Sequence, residues 1–135
     1  MTRNKDKGTR QPHFEGLRGE AHFIEWAASQ GWPTYRGLDG HEPYDFIVDA
    51  EGTLLRVEVK RVSSMQESDR NYYYCLMTGI DRKKFDMLFV STDQGWYWIP
   101  AEECPKTLSI KVQMPPEGYD RNINKPGKYE EFRVV

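Results

Sequence analysis

Pro43-Tyr44-Asp45-Phe46-Ile47-Val48-Asp49, Ala50-Glu51-Gly52 and Thr53-Leu54-Leu55-Arg56-Val57-Glu58-Val59-Lys60-Arg61-Val62 form the stretch that decides how this chain folds. Two runs rich in β-branched, aliphatic and aromatic residues flank a short segment with turn chemistry, which is the pattern of a β-hairpin. Alternation along the second strand sets Arg56, Glu58 and Lys60 on one face and Leu55, Val57 and Val59 on the other. A register close to symmetric about Glu51-Gly52 brings Asp45 opposite Glu58. Two carboxylates and an ammonium therefore meet on adjacent strands. Charges in a half-apolar sheet are costly unless they compensate one another or bind an ion, and a divalent cation removes the repulsion between two carboxylates. Phosphodiester hydrolysis uses such a grouping. The same charges also suit an exposed edge hairpin with ordinary surface pairs, so residues outside the hairpin must decide.

Upstream, Leu17 to Gly31 reads as an amphipathic helix ending at a glycine stop. Leu17, Ala21, Ile24 and Ala28 fall at helical spacing and form the expected apolar stripe. At about 100° per residue, Glu20 lies about 60° from the centre of that stripe and leans towards whatever the helix covers. Trp26 lies nearly opposite it, an expected exposed residue suited to an interface or to cover by the N-terminal segment. Trp32 to Arg36 reads as a first strand, so a helix over the sheet is expected to bring Glu20 towards Asp45 and Glu58.

With these elements in order, Gly19-Glu20 on a helix, Asp45 on a strand and Glu58-Val59-Lys60 on the next, the chain resembles the PD-(D/E)XK nuclease superfamily. Downstream, Ile80 to Val90 and Gly95 to Pro100 are similar to the small group that includes intron-encoded homing endonucleases. The core up to about Val62 is similar to archaeal-type Holliday junction resolvases. The proline of the motif stands two residues before Asp45, with Tyr44 between, and homing members can carry glutamine where this chain has Glu58. The resemblance spans residues 16–104. It implies an α/β, restriction-endonuclease-like core, a mixed central sheet flanked by helices in a single domain.

It also implies a metal-dependent DNA endonuclease. Asp45, Glu58 and the Val59 carbonyl would hold Mg²⁺, for which Mn²⁺ would substitute, and Glu20 would hold a metal-bound water or a second ion. Lys60 would orient or deprotonate the attacking water or neutralise charge on the phosphate. Arg18, Arg56, Arg61, Ser63 and Ser64 are the candidate DNA contacts. One site cuts one strand, so a double-strand cut calls for a homodimer or higher homo-oligomer. Three functions remain open: a sequence-selective homing-type endonuclease, a structure-selective Holliday junction resolvase, and a DNA-binding module with an inactive site.

Composition sets the bounds. The 135 residues suit one domain, and 38% hydrophobic with 13% aromatic content indicates a globular chain. No apolar run approaches the roughly 20 residues of a membrane span, and the polar start lacks a signal-peptide core, so a cytoplasmic location is expected, while a bacterial or phage-encoded origin is what the resemblance implies. Cys75 and Cys104 have neither CxxC spacing nor clustered histidines, which points to reduced, partly buried thiols rather than zinc. His13, His22 and His41 are scattered, with His41 in the loop before Asp45. Nineteen basic residues against twenty-one acidic argue for a local DNA-binding face of salt-sensitive affinity. Basic residues gather before Arg18, beside Lys60 and at Arg82-Lys83-Lys84.

Residues 1–15, with Gly8, Pro12 and high polarity, are expected to form a flexible basic tail. Ser63 to Asn71 reads as a polar loop suited to a DNA-contacting flap. Tyr72 to Met77 reads as a strand, and Met87 to Ser91 with Trp96 to Ile99 as a second hairpin that extends the sheet. Asp81 to Asp86 suggests a short helical turn. The breaker-rich stretch 105–135, where only Leu108 to Val112 is a clear strand, is expected to pack on the core or on a partner subunit.

Overall fold

The computed structural model describes residues 2–68, 72–113 and 127–135, with backbone alone for 2–11 and Gln113. The Glu51-Gly52 turn sets its geometry. Both residues have positive φ (55° and 93°), the type I′ arrangement that matches strand twist, and the Gly52 N–H donates to Asp49 Oδ1 at 2.8 Å. Strands β2 (Phe46–Ala50) and β3 (Thr53–Val62) therefore pair tightly, Phe46 opposite Val57 and Ala50 opposite Thr53.

Around this hairpin the chain builds a five-stranded mixed sheet. β1 (Thr34–Tyr35) pairs antiparallel with β2. β6 (Met87–Thr92) runs parallel to β3, and β7 (Trp96–Pro100) closes the second hairpin. The order is β1-β2-β3-β6-β7. The intervening β4 (Gln66–Glu67) and β5 (Tyr72–Met77) leave this sheet and join β8 (Leu108–Gln113) in a second, three-stranded one.

Helix α1 (Thr2–Ser29) covers one face of the large sheet. Phe23, Trp26 and Ala27 pack there against Phe46, Val48, Val57 and Phe89. The rings interlock, with Phe23 5.2 Å from Phe46 and Trp26 4.9 Å from Trp98 between centroids. Such contacts add to the area buried. Gly19 permits the approach, because a Cβ there would lie 2.9 Å from Arg61 Cβ. The opposite face belongs to the small sheet: Leu88, Val90, Tyr97 and Ile99 pack on Cys75, Leu108, Ile110 and Val112.

This differs from the expected sheet flanked by helices. Among the described residues α1 is the one α-helix, joined by three single turns of 3₁₀ helix, and the second face is closed by strands. The helix also turns a different side inward. Leu17 (47% exposed) and Ile24 (42%) face solvent, whereas Trp26 is 6% exposed. Large aromatic side chains match the ring-lined sheet better than the aliphatic stripe, so the expectation of an exposed Trp26 is corrected.

α1 begins at Thr2 and includes Pro12, so the stretch 2–15 expected as a tail is helical. The described parts of the C-terminal stretch lie on the core: β8 pairs with β5 along six positions, Tyr129 is buried, and Val134 N–H donates to the Trp96 carbonyl at 2.8 Å. The Pro115-Pro116 segment and the end of the polar loop lie outside the described residues. Among the described residues no helix is long and apolar enough to cross a membrane.

Candidate active site

Just before β2 the Asp45 N–H donates to the Val57 carbonyl at 2.9 Å, extending the hairpin ladder by one residue. The register that pairs Phe46 with Val57 thus carries Asp45 to Glu58. In return the Val59 N–H donates to Asp45 Oδ2 at 2.8 Å, which fixes the carboxylate beside β3 and leaves its second oxygen as an acceptor. Glu58 and Lys60 project together, with Lys60 Nζ 3.4 Å from Glu58 Oε1.

Glu58 is under electrostatic load. Partial burial pushes its pKa above the ordinary carboxylate value; nearby Lys60 opposes the rise and Asp45 adds to it. A half-buried carboxylate of raised pKa beside a second carboxylate fits a hard divalent cation. Mg²⁺ commonly takes one or two carboxylates and completes its shell with water and substrate phosphate oxygens, a donor type that Asp45 and Glu58 match.

A cavity of ≈ 220 Å³ opens beside this pair, lined by Glu58, Lys60 and Pro43 on one side and by Lys84, Phe85 and the Gly79–Asp81 segment on the other. A second depression of ≈ 510 Å³ lies on the far side of Lys60, towards Pro12, Glu15 and Ser63. Lys60 borders both. Ser63 and Ser64 are exposed at the end of β3, next to this second depression.

Glu20 is arranged differently from the expectation. α1 lies over the Val57 and Val59 face, whereas Glu58 and Lys60 alternate to the other. Glu20 Oε2 accepts from Arg36 Nη2 at 3.0 Å, and the Arg36 guanidinium sits over the Phe46 ring. Among the described residues no three His, Cys, Asp or Glu side chains gather as a metal-holding group, so Glu20 does not join Asp45 and Glu58 in this structure.

The arginines expected at DNA are engaged within the protein. Arg61 is the sharpest correction: its side chain is 2% exposed, donating to Glu15 at 2.8 Å, to Asp93 at 2.6 Å and to Ser91 Oγ at 3.2 Å. A guanidinium in a half-apolar interior needs such partners, and its partners lie 30 to 46 residues away in sequence, where local spacing gives no sign of them. Arg56 holds Asp86 through two side-chain bonds of 3.2 and 3.1 Å, and its backbone N–H donates to the same carboxylate at 2.8 Å, which together lower the Asp86 pKa. Arg18 pairs with Glu15 at 3.0 Å.

His22 lies within hydrogen-bond distance of Ser91 Oγ (2.6 Å, through Nδ1), stacks on Trp96 and is pushed by burial below its ordinary pKa, while His41 is exposed. Cys75 and Cys104 are free and buried, burial pushing the Cys104 thiol up to about 11, which suits inert packing. Sequence reading missed Lys84 and the Gly79–Asp81 segment as cavity walls. The basic run at Arg82 to Lys84 was a visible signal; its return to the β2–β3 hairpin was not.

An α1-covered mixed sheet with a carboxylate pair and a lysine at the mouth of its central hairpin defines a restriction-endonuclease-like α/β fold. A family model described as PD-(D/E)XK endonuclease matches residues 11–132, and the chain belongs to that family. Among solved structures it is similar to the bacterial homing endonuclease I-Ssp6803I, with a TM-score of 0.66 at 17% identity over 91% of this chain and 88% of that one. No curated protein sequence matches at a significant level.

Proposed function

We propose that the protein is a Mg²⁺-dependent DNA endonuclease of the homing type, with Asp45, Glu58 and Lys60 as its catalytic residues. The observation that carries this reading is the β2–β3 register, in which one hydrogen bond from Val59 N–H holds Asp45 beside the Glu58–Lys60 pair. The overall likeness to a homing endonuclease supports the subgroup.

Asp45, Glu58 and the Val59 carbonyl would hold Mg²⁺, with Mn²⁺ as a substitute. When bound, the ion supplies an activated water and offsets charge on the phosphate. Asp45 keeps its orientation through the Val59 N–H, and Glu58 is relieved of its burial cost by opposite charge. Lys60, paired with Glu58 at 3.4 Å, would orient or deprotonate the attacking water or neutralise charge on the phosphate.

Cutting both strands takes two such sites, hence a homodimer or higher homo-oligomer. Phe14 (56% exposed), Leu17 and Ile24 on the outer side of α1 offer an apolar surface for that contact.

The deciding assay incubates the protein with labelled linear duplex and with a four-way junction of the same sequence, each in Mg²⁺ or in EDTA. Duplex cutting at one sequence, abolished by EDTA, supports the homing reading. Symmetric cuts in the junction alone would replace it with a resolvase, and binding without cuts in either would leave an inactive DNA-binding module.

A further inference from the structure

We propose that the DNA strand is gripped not by the arginines beside Lys60 but by a separate phosphate-binding surface formed by Arg82, Lys83, Lys84 and Lys106. This rests on the nuclease reading for the identity of its ligand and adds where that ligand lies.

Several cations of the described residues are taken up within the protein, Lys60 and Arg133 by carboxylates and Lys111 and Lys128 over tyrosine rings. Arg18, Arg36, Arg56 and Arg61 each spend their charge on a carboxylate at 3.1 Å or less. A phosphate would have to displace those carboxylates. Arg82, Lys83, Lys84 and Lys106, by contrast, form no ion pair with any described residue, and all four are exposed. Free cations close to one another raise the local potential that draws in a polyanion.

Their arrangement is built rather than incidental. Asp81 caps the 3₁₀ turn Arg82–Lys84, its Oδ1 accepting the Lys83 N–H at 3.1 Å, and Ile80 N–H donates to the Lys106 carbonyl at 3.1 Å. That second bond brings Lys106 alongside the turn. Between them lies a cavity of ≈ 520 Å³ lined by Gly79 to Lys83 and Cys104 to Lys106. Glu102 and Glu103, on the preceding 3₁₀ turn, do not line it.

This cavity adjoins the one beside Glu58 and Lys60. Gly79, Ile80 and Asp81 line both, and Lys84 faces the second beside Glu58 and Lys60. A strand whose scissile phosphate sits at Asp45, Glu58 and Lys60 would therefore carry its neighbouring phosphates past Lys84 onto Arg82, Lys83 and Lys106. The surface fits the backbone of DNA and supplies affinity without base readout.

The test measures binding of a fluorescent duplex by anisotropy at several salt concentrations, with Ca²⁺ in place of Mg²⁺ to prevent cutting. Compared are the wild type, the triple variant R82A/K83A/K106A, and the control R18A/R36A/R56A, which removes the same formal charge from paired positions. Thermal melts accompany each, and Arg18→Ala alone serves as control should the triple control unfold. We expect the first variant to bind about 30- to 200-fold more weakly at 0.15 M salt, with a salt slope shallower by about 2 to 3, and the control to lose under about 5-fold. Equal affinity and slope for the wild type and R82A/K83A/K106A would overturn the proposal, as would an equal loss in the control. Wild type that binds no duplex would overturn it too. Duplex binding that depends on these three residues in a protein that never cuts would refute the nuclease reading and leave this surface standing.

Discussion

The two faces of β3 contrast within ten residues. Leu55, Val57 and Val59 lie under α1 in an aromatic layer in which Phe23, Val57 and Phe89 are fully buried. Arg56, Glu58 and Lys60 alternate to the other face, where the small sheet covers only the far part of the large one and leaves their end open to a cavity. One face holds the fold and the other holds charge. Because both hang on a single strand, register errors would destroy both at once, and the type I′ turn at Glu51-Gly52 guards that register.

If this separation is sound, substitutions on the two faces act on different observables. On the charged face, Asp45→Ala and Lys60→Ala should each lower the cleavage rate by about 10²- to 10⁴-fold in a single-turnover assay while the melting curve and DNA affinity stay close to wild type. Wild-type cutting by either would put the site elsewhere. On the aromatic face, Phe23→Ala should cost about 3 to 5 kcal/mol in urea unfolding, because it empties a packed position among four rings. A loss under 1 kcal/mol would mean that the layer repacks freely.

Gly19→Ala sharpens the contact between the two. Its new Cβ meets Arg61 Cβ at 2.9 Å and must lift α1 from β3, so a loss of about 1 to 3 kcal/mol is expected by chemical denaturation. Unchanged stability would show that the helix has slack at this crossing. The smallest effect should come from Glu58→Gln in cation-free buffer. Since burial raises the Glu58 pKa, the native state favours the protonated form: its contribution is fully present below the unfolded carboxylate pKa and is lost as pH rises through the folded one. The variant should therefore melt slightly higher than wild type at pH 7, and the difference should vanish under acid conditions below that unfolded value. A lower melting temperature at pH 7 would reverse the sign of the electrostatics.

The parts legible in sequence were those fixed by local rules. Turn chemistry and alternation were enough to align Asp45 with Glu58, and Met87 to Pro100 announced its hairpin. The buried side of α1 was not legible, because the helix carries two apolar sides. Leu17, Ala21, Ile24 and Ala28 form the more regular stripe, yet Phe23, Trp26 and Ala27 fit the rings contributed by Phe46, Phe89 and Trp98. The small sheet was invisible for a related reason: β5 and β8 are separated by thirty residues, and neither strand signals its partner. The burial of Arg61 was not legible because charge in a sequence does not reveal which carboxylates fold onto it.

The central claim is that Asp45 and Glu58 together hold a divalent cation. Calorimetric titration with Mn²⁺ of the wild type and of Asp45→Asn, whose fold is verified by its melting curve, tests it directly. The account predicts saturable binding to the wild type and a loss of at least about 10-fold in affinity in the variant. Equal Mn²⁺ affinity in the two proteins would contradict it.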